Sequence, residues 1–95
     1  MKRSKWIETE VEQGGKVYLL PVRCRLEAKG NRVRNAVQTR DADTGKWHTK
    51  ARTGSWITLK TSLISIDSLN EMAQHAADIL VKSTETSLHP DWIVE

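Results

Sequence analysis

Four short turn signals divide the first two-thirds of this chain at near-regular intervals, and they leave few folds open. Gln13-Gly14-Gly15, Lys29-Gly30-Asn31, Asp41-Ala42-Asp43-Thr44-Gly45 and Thr53-Gly54-Ser55 each combine residues that accept positive φ or bond their own backbone, as tight hairpins require. The segments between them read as strands near 5–12, 16–28, 32–40, 46–52 and 56–61. Pro21 interrupts the second, because it has no N–H to give to a ladder. Strands joined in succession by tight turns form an antiparallel meander. Past Thr61 the apolar period lengthens to about 3.6 residues, with Leu69, Met72, Ala73, Ala76 and Leu80 on one stripe, which predicts an amphipathic helix from Ile66 to Lys82. Asp67 and Ser68 mark its start, Ser68 and Glu71 have the spacing of a capping box, and Glu71/His75 and Asp78/Lys82 are four-residue pairs. The expected fold class is α+β: an antiparallel sheet of four to five strands packed on one C-terminal helix, then a tail over 83–95.

Composition bounds the rest. Ninety-five residues with 38% hydrophobic content suit one small domain over 1–95. Apolar runs are short, such as Tyr18-Leu19-Leu20, against the ~20 residues a membrane-spanning helix needs. The basic opening Met1-Lys2-Arg3-Ser4-Lys5 is followed by Glu8, Glu10 and Glu12, where a signal peptide would be apolar, so an unprocessed, soluble, cytoplasmic protein is expected. Cys24 is the single cysteine and can form neither an internal disulfide nor, by itself, a zinc site. His48, His75 and His89 have no ligand spacing among themselves or with Cys24, and no glycine-rich phosphate loop occurs. A non-enzyme without cofactor or metal is expected.

The charge is unevenly divided. Residues 1–60 carry fourteen Lys and Arg against six Asp and Glu, a net of +8, while residues 61–95 carry one against six, a net of −5. Strand parity sharpens this, because successive side chains point to opposite sheet faces. Val22, Cys24, Leu26 and Ala28, then Val33, Asn35 and Val37, then Trp47 and Ala51, and finally Ile57 and Leu59, fall on the side that meets the helix. The other parity holds Arg23, Arg25, Arg32, Arg34, Arg40, Lys46, Lys50 and Arg52, with Gln38 and His48, and with Trp56, Thr58 and Lys60 on the last strand; Glu27 is its only acid. A solvated face ordinarily mixes signs, since like charges opposed across strands are destabilising. An anion that neutralises the face is the economical explanation, and the phosphates of a nucleic acid fit it, DNA being expected before RNA. Arg outnumbers Lys six to two over the three central segments, as suits planar bidentate contacts. With Trp56 the one aromatic on that face, a duplex read by a sheet in a groove fits better than a single strand stacked on a platform.

Gly45-Lys46-Trp47 and Trp56-Ile57-Thr58-Leu59-Lys60-Thr61 give residues 32–81 a resemblance to AP2-type DNA-binding modules and to the arm-binding domains of phage-type integrases, in which three strands pack on one helix. The resemblance implies a regulatory or phage/mobile-element protein, and DNA binding would associate it with the nucleoid. It also implies DNA contacts from Lys50 and Arg52, Trp56 and Thr58 on the same face, and Trp47 in the core. Sheet-plus-helix layouts of this kind are similar to chromatin-type SH3-like barrels and to some single-strand binders as well.

A reading of a different class rests on the far end. Glu71, Gln74, Asp78, Glu85, Asp91 and Glu95 make the carboxy-terminal part acidic or polar, and Leu88, Trp92, Ile93 and Val94 form an apolar hook. Such a tail suits a non-catalytic adaptor or inhibitor docking on a host protein, a homodimer contact, or simple closure of the chain's own core.

Overall fold

The computed structural model describes residues 1–61, 63–84 and 87–94. Two hairpins build the centre of a curled antiparallel sheet. In the first, Ile7–Gln13 (β2) turns into Lys16–Lys29 (β3) through Gly14 and Gly15, at φ 61° and 76°, a two-residue turn whose twist matches that of its strands. In the second, Gly30 at φ 62° followed by Asn31 joins β3 to Arg32–Thr39 (β4). These two strands then pair without a break from Val22↔Thr39 to Lys29↔Arg32. β3 runs straight through Pro21. The β2 register slips between Glu8↔Arg23 and Glu10↔Leu19, a bulge, while Pro21 faces the other neighbour just past the end of β4, where its carbonyl accepts the Arg40 N–H at 3.0 Å and the ladder needs no N–H in return.

Both edges are broken strands. Lys2–Arg3 (β1) and β2 lie on the same side of β3, so the strand expected over 5–12 starts earlier and is interrupted. Ser4 carries the ladder across the break: its N–H donates to the Leu26 carbonyl and its Oγ accepts the Leu26 N–H, both at 2.9 Å. On the far side, Trp47 pairs with Arg40, and Arg52–Thr53 (β5) and Ile57–Thr58 (β6) pair in turn with β4, all antiparallel. The two strands expected over 46–52 and 56–61 are therefore successive pieces of one irregular edge strand. Thr53-Gly54-Ser55 is no hairpin. The Gly54 N–H still donates to the Asn35 carbonyl at 2.9 Å, and the register steps by one residue between Ala36↔Thr53 and Val33↔Ile57, which is a bulge.

The helix Ile66–Thr84 (α1) covers one sheet face. Its cap is Ser65, whose Oγ accepts the Ser68 N–H at 3.1 Å, three residues earlier than the Ser68/Glu71 box suggested. Leu69, Ala73 and Ala77 are buried, and the first two join Leu26, Ala28, Val33 and Ile64 in the core, with Ile7, Leu59 and Met72 packed around it. Alanines at two of the three buried helix positions leave room for the sheet to approach. Cys24 lies fully buried with its thiol toward the Ala73 carbonyl at 3.9 Å, and burial pushes its pKa up, as for a small apolar residue. Among the described residues no ion pair joins Glu71 to His75 or Asp78 to Lys82; Asp78 instead accepts the Gln74 amide N–H at 3.2 Å. Among the described residues no helix is long and apolar enough to cross a membrane.

The tail returns to the sheet. A 3₁₀ turn over Pro90–Trp92, capped by His89 Nδ1 accepting the Asp91 N–H, leads into Ile93–Val94 (β7), which pairs with Val17 and Tyr18 of β3. Leu88, Trp92 and Ile93 are half-buried and Val94 is exposed. Glu85 and Glu95 lie outside the described residues.

Ser4 is buried, and removing its hydroxyl orphans the Leu26 N–H. Ser4→Ala is expected to cost about 1–3 kcal/mol by urea denaturation, whereas a surface change such as Ser83→Ala costs under about 0.5 kcal/mol.

Candidate nucleic-acid interface

The face of the sheet turned away from α1 is a layer of arginines and tryptophans. The β3/β4 register puts Arg23, Arg25 and Glu27 on this side beside Gln38, Ala36 and Arg34, with Arg32 and Arg40 at the two ends of β4. From the edges come Arg3, opposite Glu27, and Trp47, opposite Arg40, together with Trp6 and Trp56, whose indoles lie against these arginines. The guanidinium carbon of Arg23 stands 4.3 Å from the centroid of Trp47 and 4.9 Å from that of Trp6. Arg25 lies 4.4 Å from Trp6, Arg40 5.6 Å from Trp47, Arg34 4.5 Å and Arg32 5.9 Å from Trp56. Each contact joins a cation to the electron-rich face of a ring. Together they form a chain of alternating rings and cations from Arg40 to Arg25 and a second group around Trp56.

Glu27 links the two groups. Its carboxylate, only 6% exposed, accepts Arg34 Nε at 2.8 Å and Arg3 Nε at 3.1 Å, and lies 3.5 Å from a terminal nitrogen of Arg25. Burial alone would raise its pKa; the hydrogen bonds from Arg34 and Arg3 and the charges of Arg34 and Arg25 outweigh it and hold the pKa below its ordinary value. Gln38 does a similar job for Arg23. Its Oε1 accepts Arg23 Nε at 2.8 Å while its own amide donates to the His48 carbonyl, which fixes the plane of the guanidinium between the two indoles. Among the described residues Arg23, Arg32 and Arg40 have no carboxylate within ion-pair distance, and Arg25 Nε is buried without an acceptor.

The face differs from the one expected in several residues. Arg23, Arg25, Arg32, Arg34, Arg40, Trp56 and Thr58 lie on it. Arg52 does not: it pairs with Val37 and so points to the helix side. Trp47 does not enter the core: paired with Arg40 and stacked on Arg23, it belongs to the arginine layer. The cause is common to both. Strict alternation over 46–61 requires every residue to be on the ladder, whereas the bulge around Gly54 adds one residue, so the segment before it has the opposite sense. Lys46, His48, Lys50 and Lys60 are exposed and lie outside the paired strands, where parity assigns them no face; Ala51 is half-buried. Nor is Glu27 alone, since Glu8 stands opposite Arg23. Arg3 and Trp6 were missed because the strand break at Ser4 hid their register; the signal available was an Arg and a Trp three residues apart beside a serine able to carry the ladder.

His48, His75 and His89 sit on separate elements, and among the described residues no three His, Cys, Asp or Glu side chains are placed to hold a metal ion.

Glu27→Gln leaves three guanidiniums without their shared charge. Each keeps access to water, so the cost is expected near 2 kcal/mol rather than the roughly 3–5 kcal/mol of a fully buried pair. A carboxylate whose pKa is lowered on folding stabilises above its unfolded value and loses that contribution as pH falls through the folded value. The stability gap between wild type and Glu27→Gln, measured by denaturant titration, should therefore be full at pH 7 and close below the ordinary value of 4.5. No protein-family model matches this chain, and no curated protein or solved structure matches it, so what the face does is argued from its own side chains.

Proposed function

We propose that this protein binds nucleic acid, without catalysis, on the arginine face of its sheet, with DNA as the expected polymer. The observation that supports this most is the sign of that face. Six arginines stand on it; Glu27 is already engaged by three of them, and Glu8, Glu10 and Glu12 run only along its β2 edge. The outer surface of α1 carries exposed Asp67, Glu71 and Asp78 instead. The molecule is thus electrically polar, and a polyanion approaching it is oriented before contact. Arg23, Arg32 and Arg40 supply guanidiniums already seated 4.3, 5.9 and 5.6 Å from ring centroids, so less side-chain freedom is lost when their free N–H groups meet phosphate oxygens. In the alternative reading, an adaptor or inhibitor docking through the acidic helix and the tail, Ile93 and Val94 are paired with β3 and Val94 stays exposed.

The test is a salt-dependent titration of labelled oligonucleotides by fluorescence anisotropy. The log–log slope is expected near −2 to −4, that is roughly three to five phosphates. Arg32→Ser with Arg40→Ser should weaken binding and flatten the slope by roughly 1.5. Arg52→Ser removes the same kind of charge from the helix side and should change the slope by less than half a unit, about the error of such a slope. Equal effects from all three positions would mean that net charge, not this face, governs binding.

A further inference from the structure

We infer that the strand this face takes is single, with bases stacked on the indoles of Trp6, Trp47 and Trp56 and phosphates met by Arg23, Arg32 and Arg40; this rests on the nucleic-acid reading above. With one aromatic among the cations a duplex was the better fit. The structure places three there, each against at least two arginines. Paired bases in a duplex show only their edges to a protein, so flat rings spread over a contact face have nothing to stack on. Unpaired bases offer a π-face at every nucleotide, whatever the sequence.

Width points the same way. The layer spans four neighbouring strands, from the β1/β2 edge to the β5/β6 edge, about 14 Å between outer backbones at ~4.8 Å per strand. A major groove about 12 Å wide admits a helix or a two-stranded ribbon, not four strands abreast. Along the edge, Trp47 stands opposite Arg40, and Trp56 precedes the Ile57↔Val33 pair, a separation of about 20 Å along β4, the rise of roughly six stacked nucleotides.

The existing stacks do not block this use. A half-buried cation–ring contact falls between the exposed value of about 0.5–1 kcal/mol and the desolvated value of about 2 kcal/mol, within the roughly 1–3 kcal/mol of a base on an aromatic ring. A guanidinium displaced from an indole by a base is left beside that nucleotide's own phosphate, so one planar stack replaces another and an ion pair is added. Where the guanidinium stays, its outer plane is itself a surface on which a base stacks.

Wild-type protein is titrated with an oligothymidine about twelve nucleotides long, an oligouridine of the same length, and a mixed-sequence duplex, following anisotropy and tryptophan emission. Single strands are expected to bind at least about tenfold tighter than duplex and to quench emission, and the oligouridine arm shows which sugar is preferred. Trp56→Leu should weaken single-strand binding roughly tenfold to a hundredfold with the salt slope unchanged, because stacking releases no counterions. Trp92→Leu, on the tail, should leave it as it was. Duplex bound as tightly as single strand, or Trp56→Leu weakening both alike, overturns the single-strand inference and leaves nucleic-acid binding standing. No binding of any of the three at low salt overturns both.

Discussion

The arginine face depends on one buried carboxylate. Glu27 sits on the central strand, and the groups that bond it come from the strands on either side, Arg3 from β1 and Arg34 from β4. A single acid thus ties three strands together at one end of the sheet and sets the planes of two guanidiniums through their Nε atoms. Arg34 held that way lies 4.5 Å from the Trp56 centroid, and Arg25, drawn toward the same carboxylate, lies 4.4 Å from that of Trp6. Trp6 in turn packs on Arg23, and Arg23 on Trp47. The order in the layer propagates outward from one ion-pair cluster.

The same layer solves a packing problem. A sheet in a chain this small has one helix to cover it, and that helix occupies one face. Yet on the other face Ala36 is 1% exposed and Gln38 8%. Indole rings and the aliphatic stems of arginines shield the backbone there, as long cationic side chains do when their stems lie on apolar surface and their heads stay in water. In the proposed function, structure and recognition use the same atoms. What shields the sheet from below presents charge and flat surface above, and on the helix side the small Ala73 and Ala77 do the quieter work of close approach.

Much of this was legible in the chain. The alternation from Val22 to Arg40 assigned both faces of β3 and β4, including every arginine on them, because an unbroken ladder preserves parity. The helix was equally clear, since its stripe must face the sheet whatever caps it; only the cap moved, from Ser68 to Ser65. The edges were not legible. A bulge shifts register by one residue and reverses every side chain beyond it, and nothing in Thr53-Gly54-Ser55 distinguishes a bulge from a turn. Trp47 and Arg52 were exchanged between faces for that reason alone. The burial of Glu27 was hidden as well, because counting charges by face does not show that three of them converge on the one acid.

A nucleic acid bound on the arginine face must touch its indoles and guanidiniums, so the most direct measurement is a two-dimensional NMR titration that follows the indole N–H and arginine Nε–H signals as an oligonucleotide is added. The predicted result is movement of the Trp6, Trp47 and Trp56 signals together with those of Arg23, Arg32 and Arg40, while Trp92 and the amides of α1 stay in place. Shifts centred on Trp92 and α1, with the three sheet indoles unmoved, would contradict it.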